Sequence, residues 1–255
     1  MAAGVSISTT DLEFDNGFFD ASGFAAQTLA NARSLAAVID HTLLKPEATR
    51  EQVETLCNEA AEYGFACAMV NPAWAPVAAS VLSGTGIPVG VVIGFPLGAS
   101  LVSTLRQEVA TLTRLGAREI DMVLPIGQLK SGNHQAVEHT IRSVASGVRH
   151  HGAILKVILE TCLLTVEEKL RAAEIAIQAG TDFLKTSTGF SSGGATEADV
   201  ALLRGVAGAR CGVKASGGIR TLADARAMLE AGANRIGASA GVTIIRELGG
   251  ELGGE

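Results

Sequence analysis

Eight short β-branched runs, separated by helical patterns at a nearly even spacing, predict an α/β fold closed into a (β/α)8 TIM barrel with an N-terminal extension. The runs recur every ~23 to 35 residues, the length of one strand–loop–helix–loop unit. Helix boundaries are marked by capping boxes and glycine stops. An open doubly wound sheet is disfavoured because no G-x-G-x-x-G follows an early strand and the unit repeats evenly to the end. A chain of 255 residues suits one such barrel.

Residues 1–34 differ from the rest and read as the extension, with 35–255 as a single barrel domain. The extension holds Asp11, Glu13, Asp15 and Asp20, interleaved with Phe14, Phe18, Phe19 and Phe24. It has neither the basic start nor the apolar core of a secretory signal, and it is too acidic for a transit peptide. It is expected to be flexible, or to dock its phenylalanines on a groove or a second subunit.

Strands are expected at Val38–Thr42, Ala66–Asn71, Val89–Gly94, Glu119–Leu124, Ile154–Glu160, Asp182–Thr188, Gly212–Gly217 and Arg235–Ser239. Helical patterns run over Thr49–Tyr63, Ser100–Leu115, Thr165–Ala179, Thr196–Leu203, Thr221–Ala231 and Val242–Leu248, with stops at Gly64, Gly116, Gly180 and Gly232. A composition of 47% hydrophobic residues, 30 Gly and 18% charged residues fits buried strands and tight turns, not disorder. The net charge of −6, with one Trp and one Tyr, argues against nucleic acid as a partner. No apolar window of about 18 residues calls for a membrane. Four well-separated cysteines (Cys57, Cys67, Cys162, Cys211) suit a reduced, cytoplasmic protein.

Side chains alternate along a strand, so parity sorts them into faces. Lys185 shares a face with Phe183 and Ser187, while Leu184 and Thr186 take the other; Lys214 falls with Gly212 and Ser216, opposite Val213 and Ala215. Asp121 groups with Glu119 and Val123, and Lys156 with Ile158 and Glu160. The apolar sets would meet the helices, which leaves the polar sets in the barrel. Lys185 and Lys214 would then lie on neighbouring strands. Two buried ammonium groups repel, and the cheapest relief is a neutral amine, which is a Schiff-base nucleophile. Asp121 can hold a water or take a proton. A buried Asp–Lys pair that merely closes the barrel would not call for two lysines. Lys156 and Glu160 are expected to pair for charge balance, and His41 to be structural. Asp40 and Thr42 share a face and could orient a substrate hydroxyl.

The loops after strands seven and eight, Ser216–Thr221 and Gly237–Gly241, carry the glycines of an anion site. Ser191–Gly194 could close over the same anion and Arg220 could neutralise it. No His, Asp or Glu set has metal-ligand spacing, so no metal or other cofactor is expected.

Six motifs in order resemble the deoxyribose-phosphate aldolases, class I (Schiff-base) enzymes with a TIM-barrel fold. They are Ile39–Pro46, Gly94–Gly98, Glu119–Val123, Leu155–Thr161, Phe183–Phe190 and Val213–Arg220, within a match from about Val38 to Leu248. The resemblance implies Lys185 as the Schiff-base lysine, Lys214 as the lysine that perturbs it, and Asp121 as an acid/base partner acting through water. It places Thr188, Gly189, Gly217, Gly218, Gly237 and Ser239 at or near the phosphate and substrate pocket. The implied reaction is reversible cleavage of 2-deoxy-D-ribose 5-phosphate to D-glyceraldehyde 3-phosphate and acetaldehyde. Another Schiff-base phosphosugar aldolase, or a non-catalytic phosphosugar-binding barrel, stays open at this point. A homodimer is compatible with such barrels, though no surface seam marks one.

Three departures from the family stand out. Some members end in a tail whose tyrosine assists proton transfer, whereas the only tyrosine here is Tyr63 in the first expected barrel helix. Phe190 stands where some members have a lysine near the phosphate, and Met69 where members often carry a cysteine. Phosphate binding should therefore lean on backbone amides, and thiol adducts at high acetaldehyde should be fewer.

Overall fold

The computed structural model describes residues 18–249. Its eight parallel strands are β1 (Ile39–Leu43), β2 (Cys67–Val70), β3 (Val89–Ile93), β4 (Ala117–Val123), β5 (Ile154–Ile158), β6 (Phe183–Lys185), β7 (Gly212–Ser216) and β8 (Arg235–Ala238). They pair in chain order, and β8 pairs with β1, closing a TIM barrel. Every expected strand is present, most of them shorter by a residue or more.

The helices form where the caps dictate. Thr49 and Gln52 cap Arg50–Tyr63 reciprocally, and Gly64 ends it in the left-handed conformation at φ 67°. Thr165 and Glu168 do the same for Val166–Ala179, which Gly180 stops. The helix His134–His150, the longest among the described residues, is not among the expected helical patterns. Its buried stripe of Val137, Ile141, Val144 and Val148 keeps helical spacing, but Ser143, Ser146 and Gly147 dilute the pattern. Ala75–Val81, also absent from the expected helices, carries Pro76 in its first turn, where a missing N–H costs nothing.

Of the N-terminal segment, residues 18–34 are described, and they are helical in part. Asp20 caps a helix at Ala21–Thr28 and Asn31 caps another at Ala32–Ala36, so the boundary expected after residue 34 falls inside a helix. Leu35 and Ala36 are fully buried, and the Arg204 guanidinium lies 3.9 Å over the Phe19 ring. Asp11, Glu13, Phe14 and Asp15 lie outside the described residues.

The main apolar core lies between strands and helices. The outward residues Ile120, Met122, Leu184, Val213 and Ala215 belong to it, as parity requires. Inside the barrel a small apolar cluster of Leu44, Cys67, Met69 and Val92 packs with Phe95. Beside it, the interior holds a set of buried charged side chains, Asp40, Glu119, Asp121, Lys156, Lys185 and Lys214.

Candidate active site

Burying a charge is costly unless it is paired, and every charge inside this barrel is paired. Register places Asp121 opposite Lys156, and Lys185 opposite Lys214. Asp121 is the hub: Oδ1 accepts from Lys156 at 2.8 Å, and Oδ2 accepts from both Lys185 at 2.8 Å and Lys214 at 2.7 Å. Lys214 also pairs with Asp40. Lys156 reaches Glu119 at 2.5 Å and Asp40 at 3.4 Å, and Arg235 closes the set on Glu119 and Asp40.

These contacts split the titration of the lysines. Burial pulls the Lys185 ammonium down to about 8; Asp121 opposes this, and the cations of Lys214 and Lys156 add to it. Burial acts on Lys156 in the same sense, but its three carboxylates win and hold it well above the ordinary lysine range. Burial pushes the Asp40 carboxyl up, yet Lys156, Lys214 and Arg235 outweigh it and leave it at about 2. Asp121 is likewise held well below the carboxylate range by its three lysines, against its burial. One amine is therefore poised to be neutral near pH 8.

Lys185 is also the lysine of the three that reaches open space. It lines a cavity of about 420 Å³ at the C-terminal ends of the strands, with Thr42, Lys45, Thr188, Gly189, Phe190, Ser216, Gly217, Gly218, Arg220, Gly237 and Ser239. Gly189, Gly217 and Gly218 all stand at positive φ between 82° and 86°, a region costly for side-chain-bearing residues. The lining carries Lys45, Lys185 and Arg220 and no carboxylate, so the cavity attracts an anion.

A family model described as DeoC/LacD family aldolase matches residues 34–247. This chain belongs to the DeoC/LacD aldolase family. Deoxyribose-phosphate aldolase of Thermoanaerobacter sp. is 55% identical over 215 residues, covering 84% of this chain and 96% of the relative. That of Listeria innocua is 55% identical over 212 residues, covering 83% and 95%. The deoxyribose phosphate aldolase of Aeropyrum pernix, described as a unique tetramer, superposes with a TM-score of 0.84 at 34% identity, covering 90% of this chain and 97% of that one.

In this DeoC/LacD aldolase, Thr42, Lys185, Thr188, Gly189, Gly217, Gly218, Gly237 and Ser239 come together around the cavity. Lys214 and Asp121 lie behind Lys185, fully buried, and Asp121 meets the amine directly. Asp40, expected to face a substrate hydroxyl, does not line the cavity: it is fully buried and engaged by Lys214, Lys156 and Arg235. Glu160 does not pair with Lys156. The strand ends at Ile158, and Glu160 turns out of it at φ 56°, the sole positive φ among described non-glycine residues. Its oxygens accept the N–H and hydroxyl of Thr188, whose Oγ1 in turn accepts the Phe190 N–H. The Thr188 hydroxyl is therefore engaged in holding its own turn.

Ser191–Gly194 does not line the cavity; Gly194 packs against the Gly217 backbone, and Ala195 N–H donates to Gly217 O at 3.0 Å. His41 points outward, with Nε2 2.7 Å from Glu59 Oε2 and its ring stacked on Phe65. Met69 is buried in the interior apolar cluster, and Tyr63 stacks on Phe65 away from the cavity. Phe190 meets Phe95 edge-on at 5.2 Å on the cavity wall. Sequence reasoning gave no role to Lys45 or Arg235. The available signal for Lys45 was its place just past a strand end, the face where barrels bind substrate. Asp40, Cys67 and Glu119 offer donor atoms close enough for a metal ion, but both carboxylates are already taken by Lys156 and Arg235.

Proposed function

We propose that the chain is a class I aldolase that reversibly cleaves 2-deoxy-D-ribose 5-phosphate to D-glyceraldehyde 3-phosphate and acetaldehyde through a Schiff base on Lys185. The observation that carries this is Lys185 itself: a buried amine with its pKa at about 8, on the wall of an anion-attracting cavity. The named relatives act as deoxyribose-phosphate aldolases, and the cavity chemistry agrees with that substrate class.

Neutral Lys185 attacks the C1 aldehyde of the open-chain sugar, and loss of water gives the iminium. The C3 hydroxyl gives up its proton as the C2–C3 bond breaks. C3 becomes the carbonyl of glyceraldehyde 3-phosphate, and the electron pair passes from C2 to the iminium as an enamine. A proton added at C2 and attack of water on the iminium carbon then release acetaldehyde and restore the amine. Asp121 Oδ2 touches Lys185 and Lys214 together, which suits it to pass protons between them. The glycines of Gly217, Gly218 and Gly237, with Ser239, Lys45 and Arg220, supply the phosphate end.

Borohydride reduction in the presence of substrate, followed by peptide mapping, tests the reading. The adduct is expected on Lys185; an adduct on another lysine, or none, rejects it. Supply of dihydroxyacetone phosphate against acetaldehyde as donor separates it from ketose-phosphate aldolases. We further infer a cytoplasmic homo-oligomer, with a homodimer as the unit to test by sedimentation. Its four cysteines are free, and among the described residues no helix is long and apolar enough to cross a membrane.

A further inference from the structure

The proposed chemistry uses two of the lysines on Asp121 and leaves Lys156 without a part. Lys156 is fully buried and does not line the cavity. The groups around it come from most of the barrel: Asp40 on β1, Cys67 on β2, Glu119 and Asp121 on β4, Lys185 on β6, Lys214 on β7 and Arg235 on β8. Four basic side chains thus meet the three carboxylates Asp40, Glu119 and Asp121 in the barrel interior. Burial keeps the Cys67 thiol protonated, so it adds no anion. If all were ionised, the set would hold one positive charge too many.

That surplus is relieved at the weakest-held proton. Arg235 does not deprotonate. Lys156 has three carboxylates, Lys214 has two, and Lys185 has one. We propose that Lys156 is a positioning residue for the aldol reaction, whose buried charge completes the cation surplus that eases loss of the Lys185 proton, although it touches no substrate. The inference rests on Lys185 being the Schiff-base amine. Lys156 and Lys185 hold opposite oxygens of one carboxylate at 2.8 Å each. Charges roughly 6–7 Å apart at an effective dielectric near 20 shift one another by about one to two pH units.

The test is cyanoborohydride trapping of acetaldehyde on the full chain across pH, with the adduct mapped. The parent midpoint is expected near the Lys185 value of about 8. K156M removes a cation and should move the midpoint up by about one to two units; E119Q removes an anion farther from Lys185, on the far side of Lys156, and should move it down by a smaller amount. K156R keeps the charge and should return the midpoint toward that of the parent. General damage to the barrel lowers adduct yield in both variants without opposed shifts. Midpoints that stay put, or that move the same way, overturn the inference. E119Q conserves volume and remains decisive if K156M does not fold. Adduct away from Lys185 in the parent chain overturns the proposed function instead.

Discussion

Replacing Lys185 by methionine should abolish the chemistry and, for the same physical reason, stabilise the chain at pH 7. An unfolded lysine keeps its model value of 10.5, whereas burial brings the folded one to about 8. Below pH 8 the folded state holds a proton more weakly than the unfolded state over roughly 2.5 pH units, which costs about 3 kcal/mol. Between pH 8 and 10.5 the unfolded lysine is charged and the folded one neutral. The unfolded state then binds more protons, so stability rises with pH through that window and the penalty is gone above it. Methionine fills a similar volume without charge, and Asp121 keeps Lys156 and Lys214 at 2.8 and 2.7 Å. K185M is therefore expected to gain about 2–3 kcal/mol at pH 7, raising Tm by about 4–12 °C. At pH 10 the difference should shrink below about 1 kcal/mol. Thermal and urea unfolding of both chains at pH 7, 8.5 and 10 measures this. A K185M chain less stable than the parent at pH 7, or an advantage that persists to pH 10, refutes the claim that the fold holds Lys185 under an electrostatic penalty.

Gly237→Ala should act through Lys214, because an added Cβ would stand 3.0 Å from Lys214 Cε and 2.9 Å from Ser216 Cβ. The ammonium is pinned by Asp40 and Asp121, so kcat should fall about 10- to 100-fold while Tm drops only a few degrees; activity within about twofold of the parent would show that the placement of Lys214 is unimportant. Glu160→Ala releases the N–H and hydroxyl of Thr188, and should raise KM for glyceraldehyde 3-phosphate by about 10-fold without a matching rise for acetaldehyde. Equal changes for both substrates would count against a role in holding the phosphate side. Lys45→Met and Arg220→Met should each raise KM for 2-deoxyribose 5-phosphate by roughly 5- to 30-fold and leave unphosphorylated 2-deoxyribose unaffected, as expected of cations that meet a phosphate. A similar loss with both sugars would separate these side chains from phosphate recognition.

Parity made the inward faces legible wherever a strand was regular, because alternation is a property of the extended backbone itself. Phe183, Lys185, Gly212 and Lys214 are where that rule puts them, in neighbouring strands with Lys185 opposite Lys214. The rule failed at Glu160, where the strand had already ended and a positive φ turned the side chain toward Thr188. It also could not choose partners: Lys156 faces Asp121 through the register of β4 and β5, which depends on how far one strand slides past the next. The same limit hid Asp40, whose face was read correctly but whose depth below the cavity was not.

What makes Lys185 unusual is not visible in its own neighbours along the chain. Its one carboxylate, Asp121, taken alone would hold it charged, and the opposing influences are burial and two cations on other strands. The relevant quantity is the balance of charge over the whole interior, four basic groups against three carboxylates, and that balance can be counted only after every inward position is known. Arg235 shares parity with Gly237 on the last strand, so the count was within reach of the sequence once β8 was included. A substitution far from the cavity that changes this balance by one should therefore retune the amine, whereas one that conserves it should leave the amine as it is, even when it alters packing nearby.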